Sequence, residues 1–172
     1  LLSLVGSEMC IRDSSNLIDT KINLEFISTT LIPLLKKNIQ LQLDAGVEVV
    51  MVFDSSLYDL DKINFNQVYL KLLKDIAISF PNKIGYYSRG KNWKDLNSAT
   101  NFPFAGFGYD HTIDLSSVFK DQNSGFIQGN FNEQLILNET DIFLNDLKKF
   151  IEQMKSNEHL NGWVCGLGHG IN

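Results

Sequence analysis

Ala45-Gly46-Val47-Glu48-Val49-Val50-Met51-Val52-Phe53-Asp54-Ser55 is the stretch whose reading decides the fold. Just before it, Leu31, Leu34, Leu35, Ile39 and Leu43 recur at helical spacing over residues 31–45, and Gly46 stands where helices commonly end in a left-handed residue. Residues 47–53 are then rich in β-branched side chains over the length of one strand. The run stops on Asp54 and Ser55, two small polar residues. Helix, glycine, strand and polar end together form a unit, and that unit recurs along the chain.

Asn64 is a candidate cap for a second helix, with Phe65, Val68, Tyr69, Leu72, Leu73, Ile76 and Phe80 on one face and Pro81 as its stop. Residues 84–88 predict the next strand, and residues 91–99 a short helix. A strand over 104–109 follows, then a short polar connection around 116–119 and a further strand over 125–128. Asn138-Glu139-Thr140-Asp141 opens a helix over 142–154 whose apolar face is Phe143, Leu147, Phe150, Ile151 and Met154. The last strand, 162–165, runs into Gly166-Leu167-Gly168-His169-Gly170-Ile171. Strict alternation of strand and helix predicts an α/β fold with a parallel sheet and right-handed crossovers. Periodicity leaves two architectures open: a doubly wound sheet, or part of a closed barrel.

Bulk composition narrows the function classes. The 172 residues are 44% hydrophobic and 20% charged, as expected of one globular domain. Net charge is −5 with no basic run, which argues against nucleic acid or an anionic membrane as partner. No apolar stretch approaches the roughly 18 residues of a membrane span. Cys10 and Cys165 stand far apart outside any Cys-x-x-Cys pair, which suits a reducing compartment and argues against a disulfide framework. Arg12 and Arg89 are the only arginines, so bidentate capture of carboxylates has few candidates.

In both candidate architectures ligands bind beyond the carboxyl ends of the strands. The strand ends here read Asp54-Ser55-Ser56, Ser88-Arg89-Gly90, Asp110-His111-Thr112, Gln128-Gly129-Asn130 and Gly168-His169-Gly170. Any one of these suits a turn or a helix cap; all of them together point to a shared site. Asp110 suits either a turn or a buried carboxylate fixing the loops around it, and His111 and His159 suit loops. His169 differs, because glycines on both sides permit close backbone approach and a forced orientation. No His-Glu-x-x-His, Cys-x-x-Cys, phosphate-loop or dinucleotide fingerprint is present, so no metal or nucleotide cofactor is expected. A triad of Ser55, His169 and Asp110 lacks a nucleophile elbow around the serine and is set aside.

The same strand ends resemble the uroporphyrinogen decarboxylase family from about Leu31 to Asn172. The opening stretch is similar to the family's Ala-Gly-Ala…Phe-Asp/Glu-Ser/Thr, and Gly108-Tyr109-Asp110-His111-Thr112 to its Gly-Leu-Asp-Trp-Thr. Tyr87-Ser88-Arg89-Gly90 sits at the family's aromatic, small residue, lysine and glycine. Gln128-Gly129-Asn130-Phe131-Asn132-Glu133 resembles Gln-Gly-Asn-Leu-Asp-Pro, and Leu167-Gly168-His169-Gly170-Ile171 matches Leu-Gly-His-Gly-Ile directly. The resemblance implies a partial (β/α)8 TIM barrel, approximately its last five strands, since a whole barrel takes about 250 residues. It also implies decarboxylation of the acetate side chains of uroporphyrinogen to give coproporphyrinogen in haem biosynthesis, with no metal or organic cofactor, by a cytoplasmic homodimer.

By the same resemblance Ser55 and His169 bind substrate carboxylates, while Arg89, Asp110 and Asn130 are further cleft candidates. The family's aspartate and arginine pair have no counterpart in the matched region, so the chain is expected to be a C-terminal piece cut at both ends, without catalytic residues and inactive alone. The departures are His111 for tryptophan, Arg89 for lysine, Ser56-Leu57-Tyr58 for Trp/His-Ala/Gly-Gly, and Asn132-Glu133 for Asp-Pro. A cobalamin-dependent, zinc-using methyltransferase relative is the alternative, and it lacks support because no His-x-Cys follows the strand at 84–88. A non-catalytic barrel fragment is the other. Residues 1–14 lack the pattern of the rest and resemble a translated library adaptor, the bland alternative being a frayed terminus. Residues 15–172 are expected to carry the barrel-like domain.

Overall fold

The computed structural model describes residues 25–54, 70–90, 103–121, 125–157 and 162–169. A π-helical turn (Ile27–Leu31) leads into α1 (Ile32–Asp44), with Pro33 in the first turn, where a missing N–H removes no intrahelical bond. Gly46 ends this helix at φ 95°, and the Val47 N–H turns back to the Gln42 carbonyl at 3.2 Å. That return occupies residues expected to be strand, so β1 starts later, as Val50–Asp54. The next helix is α2 (Leu70–Ser79), leading to β2 (Ile84–Ser88), whose bounds are those the sequence predicts. The proposed cap at Asn64 and the helix over 91–99 lie outside the described residues.

The later strands are short cores of the expected runs: β3 (Gly106–Gly108), β4 (Phe126–Gln128) and β5 (Trp163–Val164). One expectation fails. The polar connection around 116–119 is a helix, α3 (Leu115–Asp121). Asp114 caps it by accepting the Ser116 N–H at 3.0 Å, while Leu115, Val118 and Phe119 bury one face. The two serines disguise this apolar i, i+3, i+4 set. A 3-10 turn (Glu133–Leu137), opened by the Asn132 side chain on the Gln134 N–H, was also not foreseen. The final helix, α4 (Thr140–Lys155), matches its expected face, with Met154 buried and Phe143, Leu147, Phe150 and Ile151 half-buried.

Strand order settles the architecture. All pairs are parallel and run β1-β2-β3-β4-β5 without a reversal. Right-handed crossovers that always step in one direction put every helix on one face of the sheet. A doubly wound sheet would reverse its order and place helices on both faces. The chain therefore forms a segment of a singly wound (β/α) barrel, left open here with β1 and β5 at its edges.

The two faces differ in packing as this requires. Val50, Ile84, Tyr86, Phe107 and Ile127 join Ile39 of α1, Leu73 and Ile76 of α2, Val118 and Phe119 of α3 and Met154 of α4 in one buried cluster. Alternation puts Met51, Gly85, Tyr87, Gly108, Phe126 and Gln128 on the opposite, barrel-interior face. Gly85 keeps that face passable: a Cβ there would strike the Met51 sulfur and sit 2.7 Å from Phe126 Cζ. Among the described residues no helix is long and apolar enough to cross a membrane.

Ile84 is fully buried, whereas Leu137 is 75% exposed. Ile84→Ala is expected to cost about 2–5 kcal/mol of unfolding free energy and Leu137→Ala less than about 0.5 kcal/mol, read from denaturant midpoints. Equal losses at the two positions would contradict this assignment of the core.

Candidate functional site

Because the strands all point the same way, the segments after β2, β3, β4 and β5 gather at one end of the sheet. Backbone hydrogen bonds carry this convergence past the regular strands. Phe131 pairs with Leu167 as an isolated parallel bridge, its N–H reaching Gly166 O at 2.9 Å. The Gly168 N–H returns to Phe131 O at 2.7 Å. Trp163 adds an indole N–H bond to Gly129 O at 2.7 Å, tying the start of β5 to the residue just after β4.

Asp110 lies at the centre of the loop cluster and is only 2% exposed. Its carboxylate accepts the Gly90 N–H after β2, the Thr112 N–H at 2.8 Å and the Thr112 hydroxyl. Burial pushes its acidity toward the protonated form. The Thr112 hydroxyl, the Gly90 and Thr112 N–H groups and the neighbouring His111 outweigh that and hold the carboxyl below its ordinary value. Asp110 fills both roles open from sequence: it starts the turn through Thr112 and Ile113, and its buried carboxylate ties that turn to the loop after β2. Asn130, also buried, gives its amide hydrogens to Asp110 O and Ile113 O at 2.7 and 2.6 Å, which fastens the end of β4 to the loop after β3.

The glycine before His169 is explained by space. A Cβ at Gly168 would collide with the His111 backbone nitrogen and lie 3.0 Å from His111 Cβ. His169 itself is half-buried, with its ring edge toward Tyr87 at a centroid separation of 6.5 Å. Arg89 is exposed at the end of β2, with its charge close enough to act on the Tyr87 phenol. Ser55, Ser56-Leu57-Tyr58, Gly170 and His159 lie outside the described residues. The structure thus brings Asp110, Asn130, Gly168 and His169 to one mouth, with Arg89 at its rim.

Sequence reasoning missed three features. His111 Nδ1 lies 3.1 Å from Glu133 Oε2, both side chains largely buried, so two separate departures from the family pattern meet in space. The Tyr87 hydroxyl donates to Gly168 O at 2.7 Å. On the helix-facing side, the Tyr86 hydroxyl donates to Asp54 Oδ2 at 3.0 Å, and burial followed by the charge of Asp54 raises that phenol well above its ordinary value. Only the pairing of His111 with an acid had a sequence signal, namely the co-occurrence of the two departures. A cavity of about 360 Å³ adjoins the mouth, lined by His111, Thr112, Asn130, Asn132, Phe150 and Met154 among others. Among the described residues no group of three or more His, Cys, Asp or Glu is placed to hold a metal ion.

A parallel segment of a singly wound barrel, with its polar groups at the carboxyl ends of the strands, defines the class. The chain belongs to the uroporphyrinogen decarboxylase family, whose model matches residues 21–172. A uroporphyrinogen decarboxylase from Orientia tsutsugamushi (strain Ikeda) is 29% identical over 137 residues, covering 76% of this chain and 39% of the relative. One from Chlamydia abortus is 28% identical over 140 residues, with the same shares covered. The chain thus spans about two-fifths of the length of these relatives. A solved Listeria monocytogenes structure described as a vitamin-B12 independent methionine synthase superposes with a TM-score of 0.54 at 17% identity, covering 85% of this chain and 49% of that one. That likeness concerns the fold alone.

Asp110 links this site to pH. Its folded value is depressed, so the stability it contributes is fully present above the unfolded carboxylate value near about 4 and is lost as pH falls through the folded value. Asp110→Asn is expected to cost about 1–3 kcal/mol near neutrality by replacing the charged acceptor that the Gly90 and Thr112 donors share. That deficit narrows as unfolding is followed into acid; a deficit constant with pH would refute the ionised role.

Proposed function

We propose that this chain is the C-terminal part of a decarboxylase that converts uroporphyrinogen to coproporphyrinogen, and that it supplies one wall of the carboxylate-binding cleft. The observation that carries the reading is His169, held at the barrel mouth by a glycine that nothing larger can replace, within a family match over residues 21–172. The relatives named above as uroporphyrinogen decarboxylases support the substrate class.

The substrate is rich in carboxylates, and its reacting groups are acetates on pyrrole rings. A proton added to a pyrrole carbon makes that ring an electron sink. The bond from the acetate methylene to its carboxylate then breaks, carbon dioxide leaves, and the electron pair passes into the ring. Protonation of the exocyclic carbon and loss of the ring proton leave a methyl group on a restored pyrrole. Such a path needs negative charge beside the cationic ring and donors on the carboxylates that do not react. In this reading His169 is such a donor, and Ser55 is a second. Arg89 at the rim adds a cation toward the entering polyanion. Asp110 and Asn130 hold the loops. The groups that stabilise the pyrrole cation lie in the part of the barrel outside this chain, and the active protein is a cytoplasmic homodimer.

Incubating the complete protein with uroporphyrinogen tests the reading directly, and absence of coproporphyrinogen would sink it. His169→Asn in the complete protein is expected to lower kcat/KM by about 10- to 100-fold, the scale of one lost bond to a charged group. The 172-residue chain alone is expected to give no turnover; measurable turnover would show that it holds the catalytic groups after all.

A further inference from the structure

We propose that Tyr87 is the positioning residue for His169, setting the angle at which the imidazole meets a substrate carboxylate. The proposal rests on the reading of His169 given above and adds a residue that sequence comparison passes over as merely aromatic. Gly168 is buried, and both of its backbone polar groups are engaged. Its N–H goes to Phe131 O at 2.7 Å, which belongs to the extension of β4. Its carbonyl accepts the Tyr87 hydroxyl at 2.7 Å, across 81 positions of sequence. The peptide that joins Gly168 to His169 is therefore held at its carbonyl by the phenol.

The phenol itself is well placed to hold that peptide. Tyr87 lies on the barrel-interior face and packs over Gly108, where a Cβ would come within 3.0 Å of Tyr87 Cβ and Cδ2. Phe53 tilts against its other flank at a centroid distance of 5.6 Å. Its ring lies across from the His169 imidazole at a centroid separation of 6.5 Å and an interplanar angle of 65°, so Tyr87 neighbours the histidine with its ring and bonds the preceding peptide with its oxygen. Burial, with the negative charges of Asp110 and Glu133 outweighing Arg89, raises the phenol far above its ordinary value. It therefore remains a donor throughout the neutral range.

Tyr87→Phe keeps the ring and deletes the bond, leaving the Gly168 carbonyl buried without it. In the complete protein this variant is expected to raise KM for uroporphyrinogen about 3- to 10-fold with kcat within about twofold, the scale of one neutral hydrogen bond. Affinity for uroporphyrin, the oxidised ring with the same carboxylates, should weaken by the same factor in a fluorescence titration. Hydrogen exchange at residues 166–169 should accelerate about 3- to 10-fold, with peptides from α1 unchanged. Gly108→Ala, which crowds the ring, should shift binding and exchange in the same direction.

Unchanged exchange at 166–169 in Tyr87→Phe overturns the proposal, as does faster exchange with unchanged affinity, since the tie would then serve the fold alone. A fall in kcat at constant KM and affinity also overturns it. If the wild type binds uroporphyrin but forms no coproporphyrinogen, the proposed activity falls while affinity and exchange still decide the role of Tyr87. If it does not bind uroporphyrin at all, both fall.

Discussion

Parallel strands cannot be joined by tight turns, and the rest of this structure depends on that constraint. Each return from the end of one strand to the start of the next needs a crossover, and chirality makes the crossover right-handed. With every step taken in the same direction, β1 to β5 line up in sequence order and the helices stack on one face. The other face becomes a barrel interior. Glycines at 85, 106 and 108 then leave room for Met51, Phe126 and Tyr87 to lie across it.

The same constraint puts all the strand ends on one side, where the loops must be held together without regular pairing. Asp110 does this with a single carboxylate, taking donors from the loops after β2 and β3. Asn130 adds the end of β4, and Gly168 brings in the end of β5 by lying against the His111 backbone. A buried carboxylate is costly unless its lone pairs are filled, and here they are filled by the groups that need to be positioned. The polar cluster therefore acts as the frame of the mouth, with His169 next to the glycine that packs against it.

The departures from the family pattern become intelligible at this frame. His111 stands where an indole is usual and Glu133 where a proline is usual, and the two side chains meet at 3.1 Å. The two side chains form a hydrogen-bonded polar pair, partly shielded from solvent, between the loops after β3 and β4. Tyr87, an aromatic residue in an aromatic position, gains its significance from one oxygen atom aimed at Gly168.

By itself the sequence determined the α/β class, the bounds of β2, the apolar face of α4 and that of α1 apart from Leu34, which is 60% exposed, because burial leaves a period in the residue types. It also offered the small and polar residues after the strands as one shared end, and those after β2 to β5 do gather at one end of the sheet. It misjudged α3, where Ser116 and Ser117 mask a short apolar stripe, and the start of β1, where a helix-ending turn uses up residues with strand character. Only the tertiary structure decided between a singly and a doubly wound sheet, since strand order is a long-range property that local periodicity does not encode. It alone also showed the bond from the Tyr87 hydroxyl to the Gly168 carbonyl: the two residues are 81 positions apart, and no spacing rule connects a phenol to a carbonyl across three intervening strand crossings.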